Sequence, residues 1–157
     1  MKIKLIAIGK TDRQDLQKMT EEYRKRIGHY CPFEFEIIPD LKKAKKASEM
    51  EQKKMEGSEI LKRLSPSDHL VLLDERGKEL TSVDFSKYIQ KKMNSGMRNL
   101  VFVIGGPYGF CDEIYNRANE RISLSKMTFS HQMVRLFFTE QLYRAFTIIR
   151  NEPYHHR

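Results

Sequence analysis

The sequence predicts an α/β fold, a mainly parallel sheet with helices on both faces. Residues 69–73 (His69-Leu70-Val71-Leu72-Leu73) and 100–104 (Leu100-Val101-Phe102-Val103-Ile104) are continuous apolar runs, the pattern of strands buried on both faces. Stretches of helical period alternate with these and with shorter strand-like runs, as they do in layered α/β proteins. Segments rich in glycine and polar residues directly follow the buried runs, at the strand ends where open sheets bind ligands.

The elements follow in order. Residues 2–8 read as a first strand. Two lysines ahead of an apolar stretch resemble a signal peptide, but the stretch is too short and no small-residue cleavage site follows, so a cytoplasmic protein is expected. From Asp12 to Tyr30, Leu16, Met19, Tyr23, Ile27 and Tyr30 recur at the spacing of an amphipathic helix. Pro32 stops it, and Phe33, Phe35 and Ile37 alternate with acids as in a strand. Lys42-Lys43-Ala44-Lys45-Lys46 leads into a charged helix ending near Leu64, before Ser65-Pro66. Between the two apolar runs, Thr81-x-x-Asp84 reads as a capping box with aspartate in the usual glutamate position. Phe85, Tyr88, Ile89 and Met93 supply that helix's apolar stripe, and Asn94-Ser95-Gly96 closes it. A further helix is expected after Gly109, then a short strand at Ile122-Ser123-Leu124 and a long helix from about His131 to Arg150. With no repeat, flexible linker or low-complexity tail, residues 1–157 form one domain.

The net charge of +8 favours a polyanionic partner. Half of it lies between Lys42 and Arg63, where eight basic residues meet four acidic ones. That pattern suits either a solvated helix laced with i,i+4 charge pairs or one that contacts RNA. No apolar run approaches the roughly 20 residues of a membrane span. Cys31 and Cys111 each stand alone, which reads as packing rather than a disulfide or metal site. The adjacent His155 and His156 lack a spaced thiol or acidic partner, so no metal is expected.

Three post-strand segments are candidates for a ligand site: Leu73-Asp74-Glu75-Arg76-Gly77, Gly105-Gly106-Pro107-Tyr108-Gly109 and Leu124-Ser125-Lys126-Met127-Thr128-Phe129. Glycines there let a backbone approach a ligand closely. Neither a dinucleotide fingerprint nor a P-loop is present. The last helix is apolar almost all round, which predicts burial on more than one side, either against a second subunit or in the monomer core. His131 and Arg135 share a face of it. The chain ends Tyr154-His155-His156-Arg157, groups suited to base stacking and phosphate contact.

Gly105-Gly106-Pro107, Leu124-Ser125-Lys126-Met127-Thr128-Phe129-x-His131, Leu142-Tyr143-Arg144-Ala145 and Asn151-x-Pro153-Tyr154-His155 occur in that order, after an opening Lys2-Ile3-x-Leu5-Ile6-Ala7-Ile8-Gly9-Lys10. Together they closely resemble the ribosomal RNA large subunit methyltransferase H family, of the SPOUT class of trefoil-knotted methyltransferases. The resemblance spans the whole chain and implies a C-terminal knot, a topology nearly absent from other proteins. It implies S-adenosylmethionine as cofactor, held by Leu73, Gly105, Leu124, Ser125, Lys126, Met127, Thr128 and Phe129. It further implies a homodimer that methylates N3 of a pseudouridine in helix 69 of 23S rRNA on the assembled 70S ribosome.

The target nitrogen must lose a proton, so a base or a stabiliser of negative charge is expected. His131, His155 and His156 are candidates for the first, Arg135 and Arg157 for the second. The tail from Tyr154 onward is expected to complete the partner's site. Family members often carry a basic residue directly after the Tyr-His pair; here His156 intervenes before Arg157. The alternative is a ribosome-associated RNA-binding protein without catalysis, which would bind RNA but not the cofactor.

Overall fold

The computed structural model describes residues 1–41 and 46–156. Five strands, β1 (Lys2–Ile8), β2 (Phe33–Ile38), β3 (His69–Glu79), β4 (Asn99–Ile104) and β5 (Glu120–Ser123), form one sheet in the order β2-β1-β4-β3-β5. Every pairing is parallel, as the continuous apolar runs predicted. Five helices connect and follow them: α1 (Gln14–Ile27), α2 (Glu49–Leu61), α3 (Ser82–Asn94), α4 (Asp112–Arg117) and α5 (His131–Ile149).

The period of two along β1 divides its side chains between two cores. Ile3, Leu5 and Ala7 join Phe102, Ile27 of α1, Phe85 and Ile89 of α3, and Phe138, Leu142 and Phe146 of α5. Ile6 and Ile8 join Leu70, Leu72, Val101, Val103, Ile60 of α2 and Ile114 of α4. Helices therefore cover both faces, and the central strand β4 is buried from Leu100 to Ile104 whichever way its side chains point. Cys31 and Cys111 are free thiols in opposite cores. Both act as small packing groups, and burial pushes the Cys31 thiol up to about 11.

Local chemistry sets the ends of the helices. Thr81 Oγ1 caps α3 by accepting from the Asp84 amide at 3.1 Å, while the Asp84 carboxylate accepts from the Thr81 hydroxyl at 2.8 Å rather than from the Thr81 amide, so only the threonine half of the expected capping box forms. Ser48 caps α2 by accepting from the Glu51 amide. The charged helix thus begins at Glu49; Lys42–Lys45 lie outside the described residues. At the far end of α5, Asn151 takes φ +55°. The Glu152 amide donates to the Thr147 carbonyl and the Asn151 amide to the Ile148 carbonyl, the paired bonds of a Schellman stop with asparagine in the place glycine usually takes.

One expectation needs revision. The polar segment after Leu73 is not a loop: β3 continues to Glu79 and resumes pairing with β5 after a register shift between Leu73 and Lys78. Gly77 makes this possible, since a Cβ there would lie 2.6–2.8 Å from the backbone of Arg121 and Ile122. Its glycine serves strand-to-strand approach rather than a ligand. The apolar circumference of α5 is buried largely within the chain, seated on the sheet with Ser82 of α3 bonding to Gln141 on one flank. On the other, Tyr30, just past α1, stacks on Phe146 at 5.2 Å. Phe137 is the large apolar residue of α5 left exposed.

Candidate functional site

The middle of β3 and the carboxyl ends of β4 and β5 open into one cavity of about 510 Å³, within the range of small-molecule sites. Its wall combines Leu73 to Arg76 of β3, Gly105 to Phe110 after β4, and Leu124, Ser125 and Met127 to His131 leading into α5. The three segments singled out in the sequence thus converge although 46 residues separate the first, ending at Gly77, from the last, beginning at Leu124.

Each wall is shaped by its own chemistry. After β4, the Gly109 amide donates to the Gly106 carbonyl at 3.1 Å, closing a tight turn over Pro107 and Tyr108. Gly109 takes φ +81°, which a side chain would strain. After β5, the Ser123 hydroxyl donates to the Ser125 carbonyl at 2.8 Å, and Ser125 Oγ accepts from the Met127 amide at 2.9 Å. These bonds fold the third segment back toward the cavity, and Ser130 then caps α5 through the Gln132 amide.

The lining is mixed. Leu73, Ile104, Leu124 and Phe129 offer apolar surface, while Asp74 and Glu75 bring carboxylates to the rim. The hydroxyl of Tyr115, on α4, donates to Asp74 at 2.5 Å. Burial and this acidic neighbour push the phenol up to about 12, so it remains a donor at neutral pH. Tyr115 carried no motif signal; its place on the wall depends on α4 packing beneath the glycine turn, which no local pattern shows.

Of the residues expected to hold a cofactor, Leu73, Gly105, Leu124, Ser125, Met127, Thr128 and Phe129 line the cavity. Lys126 does not: its side chain is 87% exposed, with its ammonium 3.9 Å from Glu79. Among the groups expected to carry chemistry, His131 lines the cavity and Arg135 stands apart from it. The Arg135 guanidinium is 1% exposed, donating to the Ile8 carbonyl at 2.7 Å and to Thr11 Oγ1 at 3.0 Å. It ties α5 to the end of β1, and burial lowers its pKa against the opposing pull of Asp40 and Asp12.

The tail is folded away from this cavity. The Tyr154 hydroxyl donates to Glu140 at 2.9 Å, its ring packs edge-on to Tyr143, and Arg144 lies over it. Burial and its bonds to Tyr23 and Glu140 hold the phenol well above its ordinary value. His155 Nδ1 lies 3.2 Å from Arg144, and His156 is exposed. Arg157 lies outside the described residues. Among the described residues, no three His, Cys, Asp or Glu side chains gather as a metal site requires. No helix among them is long and apolar enough to cross a membrane.

Residues 1–155 match the family model described as "Predicted SPOUT methyltransferase". Full-length relatives named "Ribosomal RNA large subunit methyltransferase H" include that of Christiangramia forsetii, 64% identical over 157 residues covering all of both chains. The protein of that name from Flavobacterium johnsoniae is 62% identical over the same span, again all of both chains. That of Cytophaga hutchinsonii is 58% identical over 156 residues, 99% of this chain and all of its own. With its parallel sheet, its cavity at the strand ends and this likeness over the entire length, the chain belongs to the SPOUT methyltransferases, within the ribosomal RNA large subunit methyltransferase H family.

Proposed function

We propose that this protein is a cytoplasmic, S-adenosylmethionine-dependent rRNA methyltransferase. The target is N3 of pseudouridine 1915 in helix 69 of 23S rRNA, on assembled 70S ribosomes. The observation that carries the reading is the one cavity in which the segments beginning at Leu73, Gly105 and Leu124 converge, in a chain of this family.

The residues present fit the cofactor. The glycine turn offers a wall without side chains, Leu73, Leu124 and Phe129 offer apolar contact for an adenine ring, and Asp74 and Glu75 suit cationic groups. When bound, S-adenosylmethionine supplies an activated methyl group on a sulfonium, so the protein's contribution is binding, orientation and exclusion of water. Leu73 and the Leu124–Phe129 segment would hold it. His131, at the rim, is the candidate to take the N3 proton. The knot of the class would fix α5, and with it His131, against the other two walls.

The tail belongs to the same reading. In a homodimer, Tyr154, His155, His156 and Arg157 would complete the site of the partner subunit, with Arg157 or protonated His156 supplying positive charge. Folding of Tyr154 away from its own cavity supports that division of labour. Arg135, held between Ile8 and Thr11, would orient His131 by anchoring the first turns of α5.

The test is methyl transfer from labelled S-adenosylmethionine to ribosomes lacking the modification, beside free 23S rRNA and transfer RNA. Label on ribosomes at N3 of the helix 69 pseudouridine is expected. No label on any RNA, with no cofactor binding by titration, would leave a non-catalytic ribosome-binding protein as the better account.

A further inference from the structure

Glu56 of α2 is 4% exposed, and among the described residues neither carboxylate oxygen has a hydrogen-bond partner and no ion pair reaches it. Burying an unpaired carboxylate is costly, and an apolar residue would ordinarily serve better in such a place. Burial pushes its carboxyl up; Gln52, one turn back, eases the push, and Asp40 adds to it.

Its location is determined by two glycines. Gly57 lets α2 close on the start of α4, since a Cβ there would come within 2.5 Å of Cys111 Sγ and 3.2 Å of Ile114. That approach drives Glu56 against Gly106, where a Cβ would lie 2.3 Å and 2.6 Å from the two carboxylate oxygens. Gly106 also lines the cavity. One residue of bare backbone thus separates a buried carboxyl from the candidate cofactor site, and a cation bound there favours its ionised form against the desolvation that opposes it.

We propose that Glu56 is a specificity-determining residue, the counter-charge that lets this cavity prefer the cationic methyl donor to its neutral product. The inference rests on reading the cavity as the S-adenosylmethionine site. When the methyl group passes to nitrogen, the carbon–sulfur electron pair stays on sulfur and the sulfonium becomes an uncharged thioether. The ligand thereby loses its attraction to Glu56, and the spent product is released more readily than a fresh donor.

The experiment is calorimetric titration of the full-length protein with S-adenosylmethionine and, separately, S-adenosylhomocysteine. A unit charge facing a cation across a partly screened interior corresponds to roughly a five- to tenfold effect on affinity. Glu56→Gln, which keeps the shape and removes the charge, is expected to weaken binding of the donor by that factor and leave the product's affinity unchanged. Glu56→Asp, which keeps the charge, is expected to retain most of the preference. An equal loss for both ligands, or no change for either, would overturn the proposal, as would Glu56→Asp behaving like Glu56→Gln. A wild-type protein that binds neither ligand would instead overturn the reading of the cavity.

Discussion

Gly77→Ala puts the junction between the sheet and the cavity to the test. The added methyl would meet the carbonyl carbon of Ile122 at 2.6 Å, its amide nitrogen at 2.7 Å and the carbonyl carbon of Arg121 at 2.8 Å. All three are backbone atoms, so relief requires β5 to move away from β3 rather than a side chain to turn. Overpacking of this kind costs about 1–3 kcal/mol, and for a domain of this size each kcal/mol lowers the Tm by about 2–4 °C. The displaced strand runs directly into Leu124 and Ser125 of the cavity wall, so affinity for the cofactor should fall along with stability. Gly96→Ala is the control: no atom lies within 4 Å of its added Cβ, and only the φ of +76° opposes it, a cost of about 1–2 kcal/mol. Urea denaturation with cofactor titration separates the two. Gly77→Ala should lose stability and binding together, Gly96→Ala stability alone. An unchanged urea midpoint and affinity in Gly77→Ala would refute the argument from close approach.

Arg135→Met should lower stability by about 2–3 kcal/mol, because two bonds from a charged donor are lost and the recovered desolvation offsets only part of them; a urea midpoint equal to wild type would contradict this. Glu120 is desolvated, but its bonds from Tyr88, His69 and Lys92 prevail and hold its carboxyl at about 2, below its ordinary 4.5. Its stabilisation is therefore complete above about pH 4.5 and is lost as pH falls toward about 2. In Glu120→Gln the urea midpoint should vary less across that window, by a margin reduced by screening of this partly exposed group; an unaltered profile would count against it. Asn151→Ala should cost about 1 kcal/mol at its left-handed position while Asn151→Gly should cost nothing, as thermal melts would show; equal losses would argue against the Schellman stop.

The strands were the most readable part of the sequence, because burial on both faces writes itself as unbroken apolar runs at 69–73 and 100–104. The extension of β3 to Glu79 was hidden: Asp74, Glu75, Arg76 and Lys78 look like a loop, and the pairing that makes them strand is a contact with β5. Likewise the apolar circumference of α5 indicated burial without saying by what, since packing between two helices and a sheet is not a local property. The site was readable as three segments and not as a surface. Lys126 shares its motif with Ser125 and Met127 but turns outward to Glu79, and Tyr115 reaches the wall from a helix with no motif. The spacing of His131 and Arg135 correctly gave one helical face, yet one turn separates a rim residue from a buried tie.

That tie spans 127 residues between Arg135 and Ile8, and β1 itself lies between β2 and β4, with β4 nearly a hundred residues later in the chain. A chain emerging from its own synthesis therefore cannot join β3 to β1 until β4 is made, and its cavity lacks a wall until α5 follows. Contacts this distant make for slow folding. The cavity is consequently assembled late, waiting on the first turn of α5 for its last wall.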